Sequence, residues 1–302
     1  MSYVGPDFDP PQPRRPRRGP LTVALAALVP GALIGWFVYE AVGSPGDGPG
    51  GAAAGVSSSA PTSPAATSSN DDKPPNPSSL RGKVVVIDPG HNVTNFQHTA
   101  QINRKVNIGT NWKECDTTGT STNAGYSEAQ FTTDVSHRLK ALLEKQGVTV
   151  KLTHDGDSPS WGPCVDQRAR IGNDAHADAA ISLHADGAAA GDRGFHVILP
   201  ASVHAGTADT RAIVAPSAAL GRSIKGDYLR ATGEQLSNYV GDGTGLVTRK
   251  DLGGLNLSTV PKVFIECGNM RDSKDAALLT NGAWRQKAAQ GISEGIVSFL
   301  RG

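Results

Sequence analysis

Four short stretches carry side chains able to do chemistry together: VVVIDPGHN with His91, GYSEAQF with Glu128, ISLHAD with His184 and VFIECGNM with Glu266. Two neutral imidazoles and one carboxylate make a tripod for zinc that leaves a further position open to water, as catalytic rather than structural zinc sites do. The metal polarises a carbonyl and lowers the pKa of the water to about 7, and a second carboxylate nearby can take the proton and return it to a leaving amine. That set suits hydrolysis of an amide. Taken singly, each group has a plainer role: a strand-end histidine is commonly a solvated turn residue, and Glu128 would favour the positive end of a helix dipole.

For these groups to meet, the chain must bring four distant points to one rim. VVVID (84–88), VTVKLT (148–153), AAISLH (179–184), FHVIL (195–199) and KVFIEC (262–267) are short, mostly continuous apolar runs, as expected of strands covered on both faces. Between them lie helical stripes: Phe131, Val135, Leu139, Leu142 and Leu143 stop at Gly147, and Trp284, Ala288, Gly291, Ile292, Ile296, Phe299 and Leu300 close the chain. The alternation predicts an α/β domain, a mostly parallel sheet flanked by helices, in which function gathers at the carboxyl ends of strands. His91, His184 and Glu266 fall at such ends. Glu128 opens the first long helix, where Ser127 and Gln130 fit the reciprocal capping box. Asp88 and Asp186 flank the histidine motifs and can orient a ligand imidazole, although Asp88 can equally cap the turn before Pro89. His98, His137, His154, His176, His196 and His204 match no ligand pattern and read as surface or packing residues.

A chain of 302 residues, 38% hydrophobic and with a formal net charge of +1, can bury a sizeable core and gives no support to nucleic-acid binding. Residues 1–20 form a basic, Pro-rich arm with Arg14, Arg15, Arg17 and Arg18, and residues 21–42 form an apolar run with roughly 19 uncharged residues in a row, enough for a bilayer core of about 30 Å. Trp36 and Tyr39 fall at an interfacial position. The basic flank is expected to stay in the cytoplasm, so the run reads as a single-pass anchor with everything after it outside. A cleaved secretory signal is the alternative, and it too exports the domain. Residues 43–81, rich in Gly, Ser, Pro and Ala, read as a disordered tether with a reach on the order of 35 Å. The catalytic domain is expected over 82–302, as a monomer.

Together, in this order and spacing, the four motifs resemble the zinc-dependent N-acetylmuramoyl-L-alanine amidases of bacterial cell walls, the amidase type 3 family, over about residues 83–302. GPCVDQRA, SLHADG and RGFHV add a likeness to its actinobacterial and mycobacterial branch. The resemblance implies an αβα sandwich, one zinc on His91, Glu128 and His184, a catalytic Glu266, and cleavage between N-acetylmuramic acid and L-alanine of the peptidoglycan stem peptide. The family text after the last strand is closer to E-x-G-F, whereas this chain has ECGNM; the carboxylate is retained. The resemblance also implies a Cys115–Cys164 bridge, leaving Cys267 as a buried thiol. Some relatives carry a helix that plugs the zinc site; here residues 201–225 look too short and Ala/Gly-rich for that, with Leu220, Ile224 and Tyr228 reading as a packed helix face. Residues 93–126 are long for a loop and are expected to form a flap or β-hairpin at the mouth of the site, or else a surface elaboration without a role. A non-catalytic wall-binding protein on the same fold, and a zinc peptidase cutting within the stem peptide, remain open at this point.

Overall fold

In the computed structural model residues 80–302 are described; the arm, the anchor and all of the tether except Leu80 and Arg81 lie outside them. Among the described residues no helix is long and apolar enough to cross a membrane. Leu80, at the end of the tether expected from the sequence, is instead buried in the main core.

Runs of Val and Ile form the centre of a six-stranded sheet: β1 (Val84–Pro89), β4 (Thr149–Leu152), β5 (Ala179–Asp186), β6 (His196–Pro200), β9 (Leu246–Arg249) and β10 (Lys262–Asn269), in the order β4-β1-β5-β10-β6-β9. β4, β1, β5 and β10 are parallel, β6 runs antiparallel to β10, and β9 runs parallel to β6. The mostly parallel sheet is as expected, and its five apolar runs all become strands. The edge strand β9 was not foreseen: its four residues, LVTR, are too few and too polar to show a period.

Alternation along β1, β5 and β10 sorts side chains onto two faces. Val85, Ile87, Ile181, Leu183, Val263 and Ile265 enter one core with Phe131, Val135, Leu139 and Leu143 of α2 (Glu128–Lys145), Leu220, Ile224 and Tyr228 of α4 (Val214–Thr232), and Ala288, Ile292 and Ile296 of α7 (Gly282–Arg301). Thus Leu220, Ile224 and Tyr228 do form a packed helix face, on the side of the sheet holding α2 and α7. The other face carries a smaller apolar cluster of Val86, Ala177, Ala180 and Val260, with Ile171 of α3 (Val165–Asp174) packed against it.

Between β1 and α2 the chain forms α1 (Thr99–Ile102) and a hairpin, β2 (Lys105–Asn107) and β3 (Trp112–Glu114). The expected hairpin is therefore present, and it is pinned twice. At its base Cys115 is disulfide-bonded to Cys164, just before α3, while Cys267 is a buried free thiol. At its tip the Asn256 amide, in α5 (Gly253–Asn256), donates to the Ile108 carbonyl and Thr110 hydroxyl, each at 3.2 Å.

Candidate metal centre and active site

At the end of β1 the Pro-Gly turn delivers His91 with φ 64°, a left-handed backbone that costs a non-glycine residue on the order of 1–3 kcal/mol and recurs at functional sites. Gly90 is required there by close approach, since a Cβ on it would lie 2.4 Å from His184 Cε1. The capping box at Ser127 and Gln130 starts α2 and sets Glu128, only 4% exposed, on its first turn. Glu128 Oε2 lies 3.1 Å from His91 Nε2 and Oε1 lies 2.9 Å from His184 Nδ1, so donor atoms of all three residues fall within 4.8 Å of one another. The carboxylate also accepts from the backbone N–H groups of Thr120 and Ala185. Its role therefore extends well beyond a helix dipole.

The hydrogen bonds behind the histidines decide which nitrogen of each ring keeps a lone pair. His91 Nδ1 lies 3.1 Å from the Thr117 carbonyl, which can only accept, so Nδ1 keeps its proton and Nε2, facing Glu128, is the nitrogen that can give up its proton to a metal. For His184 the chain is longer. The Ser182 hydroxyl donates to Asp88 Oδ2 at 2.9 Å, and its oxygen, 3.2 Å from His184 Nε2, must therefore accept from that ring. His184 Nδ1, 2.9 Å from Glu128 Oε1, is then the nitrogen available to a metal. Two imidazole lone pairs and a carboxylate converge, which is the donor chemistry of a divalent transition-metal site. The electrostatics agree: burial opposes charge on His91, yet Glu128 beside it raises its pKa to about 9, and the two imidazoles hold the Glu128 carboxyl well below the usual range against its own burial. The three residues could hold a metal ion.

Glu266 is not part of the tripod. It stands on β10 directly beside His184 in the parallel register, partly buried, with Oε2 enclosed and without a hydrogen-bond partner. Burial pushes its carboxyl well above the usual range, with Asp186 and Glu128 adding to the effect and Arg249 opposing it. Asp88 and Asp186 separate cleanly. Asp88 supports His184 through Ser182, whereas Asp186 accepts from the Tyr239 hydroxyl at 2.8 Å.

Several residues of this neighbourhood were given no role by the sequence, although Arg168 lies within the GPCVDQRA stretch. Arg168 on α3 is buried and donates to Asp88 Oδ1 and Asp116 Oδ2, both at 2.8 Å, and to the carbonyls of Pro89 and His91 at 2.6 and 2.9 Å. Lys262, 2% exposed, reaches Asp88 Oδ2 at 3.2 Å. Burial opposes charge on Asp88, but Lys262 and Arg168 outweigh it and hold its carboxyl far below the usual range. Gly119 (φ +71°) lets the insert cross over His91 and Glu128, since a Cβ there would lie 2.7 Å from His91 Cδ2. Beside His91 and His184 opens a cavity of about 210 Å³, also lined by Phe264, Leu252, Val165 and the hairpin residues Lys113 and Glu114. Of the remaining histidines, His154 packs against the Pro89 carbonyl at 2.8 Å, His137 and His204 pair with Asp155 and Asp209 at the surface, and His196 is buried on β6.

Fold and donor set together give an α/β domain with a candidate metal centre at the carboxyl ends of its parallel strands. Residues 85–298 match the family described as N-acetylmuramoyl-L-alanine amidase, and the chain belongs to that family. It is 41% identical over 229 residues to the N-acetylmuramoyl-L-alanine amidase Rv3717 of Mycobacterium tuberculosis, covering 74% of this chain and 89% of that protein. The fold superposes on the crystal structure of the N-acetylmuramyl-L-alanine amidase Ami1 from Mycobacterium smegmatis with a TM-score of 0.66 and 38% identity, covering 74% of this chain and 98% of the other. The Ami1 structure from Mycobacterium abscessus also gives a TM-score of 0.66 at 38% identity, covering 73% and 100%.

Proposed function

We propose that this chain is a zinc-dependent peptidoglycan amidase that cleaves the bond between N-acetylmuramic acid and L-alanine of the stem peptide. The observation that carries the reading is the convergence of His91, Glu128 and His184 donor atoms within 4.8 Å, with Glu266 on the next strand. Zinc held by those residues would supply a Lewis acid that polarises the lactyl carbonyl and acidifies a water to about pKa 7. Glu266 then takes the proton of the attacking water and gives it to the L-alanine nitrogen as the C–N bond breaks, a dual role suited to a carboxyl whose affinity for protons is raised by burial. Asp88 and Ser182 keep the His184 ring turned to its ligand atom, and Thr117 does the same for His91. Residues 21–42 as anchor and 43–81 as tether would keep the enzyme at the outer side of the cytoplasmic membrane, within reach of the wall.

Product mass spectrometry on defined muropeptides tests the reading. Zinc-dependent release of an intact peptide beginning with L-alanine is expected from the full chain. Glu266→Gln should keep zinc and lose about 10²–10⁴ in kcat; His91→Ala should lose both zinc and turnover. A cut inside the peptide would make the protein a peptidase, and zinc binding with no cut at all would make it a wall-binding module.

A further inference from the structure

His196 reads as a packing residue in the sequence and belongs to no ligand motif, yet it occupies a particular place. On the antiparallel β10–β6 pair it is the residue directly opposite Glu266. Residues so paired point to the same face with Cβ atoms about 4.5–5.5 Å apart. His196 is only 4% exposed, and its Nδ1 is buried without a partner; so is Oε2 of Glu266. A buried donor or acceptor left unmade is expensive, and here a possible donor and an acceptor stand on neighbouring positions of one sheet face. The His196 ring meets Tyr239 edge-on at 5.9 Å between centroids, and the Tyr239 hydroxyl is committed to Asp186. Burial also keeps the imidazole neutral, pushing its pKa to about 4 with Arg249 assisting and Asp186 opposing, so it carries one proton for one hydrogen bond.

We infer that His196 is a positioning residue for Glu266: its Nδ1–H reaches Oε2 through one enclosed water that satisfies both unpartnered atoms, and leaves Oε1 free to face the attacking water. This rests on the amidase reading for its effect on rate, but not for the pairing itself. A carboxylate with two equivalent oxygens and a free χ3 would spend much of its time misdirected. Tying one oxygen to the sheet removes that freedom.

The experiment has an arm with activity and an arm without. In the zinc-loaded full chain, His196→Phe retains ring volume and the Tyr239 contact but has no N–H. It should lower kcat on a soluble muramoyl-peptide by about 10–100-fold, the usual scale for such supporting groups, with KM, zinc content and Tm unchanged. His196→Asn places an amide N–H near the Nδ1 position and should recover most of the loss. A His196→Phe enzyme with wild-type kcat, or a His196→Asn enzyme no better than His196→Phe, overturns the proposal. Independently, the Nδ1 resonance of His196 in 15N-histidine-labelled protein should move in Glu266→Leu. An unmoved resonance sinks the pairing, whereas a moved resonance in a protein that leaves the muramoyl–alanine bond intact would keep the pairing and discard the amidase reading.

Discussion

The two faces of the central sheet are made by the same strands, yet one is wholly apolar and the other sets buried charges beside a small apolar cluster. Towards α2, α4 and α7, β1, β5 and β10 present Ile87, Ile181, Leu183, Val263 and Ile265, all fully buried. Towards α3 and the insert, the intervening positions present Asp88, Ser182, His184, Lys262 and Glu266 beside the apolar Val86, Ala180 and Phe264. The apolar face gains from removing hydrocarbon from water, roughly 25 cal/mol per Å², wherever the side chains fit. The polar face gains only where every charge meets a partner, because an unpaired buried charge costs several kcal/mol. One face therefore stabilises the fold diffusely, and the other specifies geometry.

The sharpest way to break that contrast is Arg168→Ala. It leaves Asp116 buried without its guanidinium partner and Asp88 with Lys262 as its remaining cation, and unfolding measurements should show a loss of about 3–5 kcal/mol. Zinc affinity should fall with it, since Arg168 also holds the His91 carbonyl. Next comes a pair of neighbours pointing to opposite faces. Leu183→Ala should cost about 2–5 kcal/mol in chemical denaturation while leaving zinc affinity within a few fold. Ser182→Ala should do the reverse, changing stability little and weakening zinc by about 10–100-fold in a chelator competition assay. Equal effects of the two substitutions on metal binding would dissolve the distinction between the faces.

The gentlest test uses pH on chelator-stripped protein. Because the His91 pKa is raised from its ordinary 6.5 to about 9 by Glu128, protonated His91 contributes stability that is complete below pH 6.5 and is lost as the pH rises through about 9. Thermal unfolding between pH 6 and 10 should show that decline in the wild type and a flatter profile in His91→Ala. Apparent zinc affinity should climb over the same interval, since the metal competes with the proton.

Much of this was legible in the chain. Five strands announce themselves by apolar runs, and Ser127 with Gln130 marks the start of α2 within one residue of Glu128. The order of the four motifs, and the likeness they carry, pointed to His91, Glu128 and His184 as candidate metal ligands and to the Cys115–Cys164 bridge, and the structure joins those cysteines and brings the three candidate ligands together. Such features are local or motif-borne: a period, a cap, a donor type at a strand end. What the chain could not disclose by itself is which polar side chains meet across long separations. Arg168 finds Asp88 80 residues away, Lys262 finds Asp88 across 174, and Asp88 reaches His184 only through Ser182. His196 faces Glu266 only because β6 turns antiparallel beside β10. Hydrophobic periodicity says which face a residue takes, since water exclusion acts on each side chain separately. Partnership among buried charges depends on strand order and register, and these exist only once the sheet has formed.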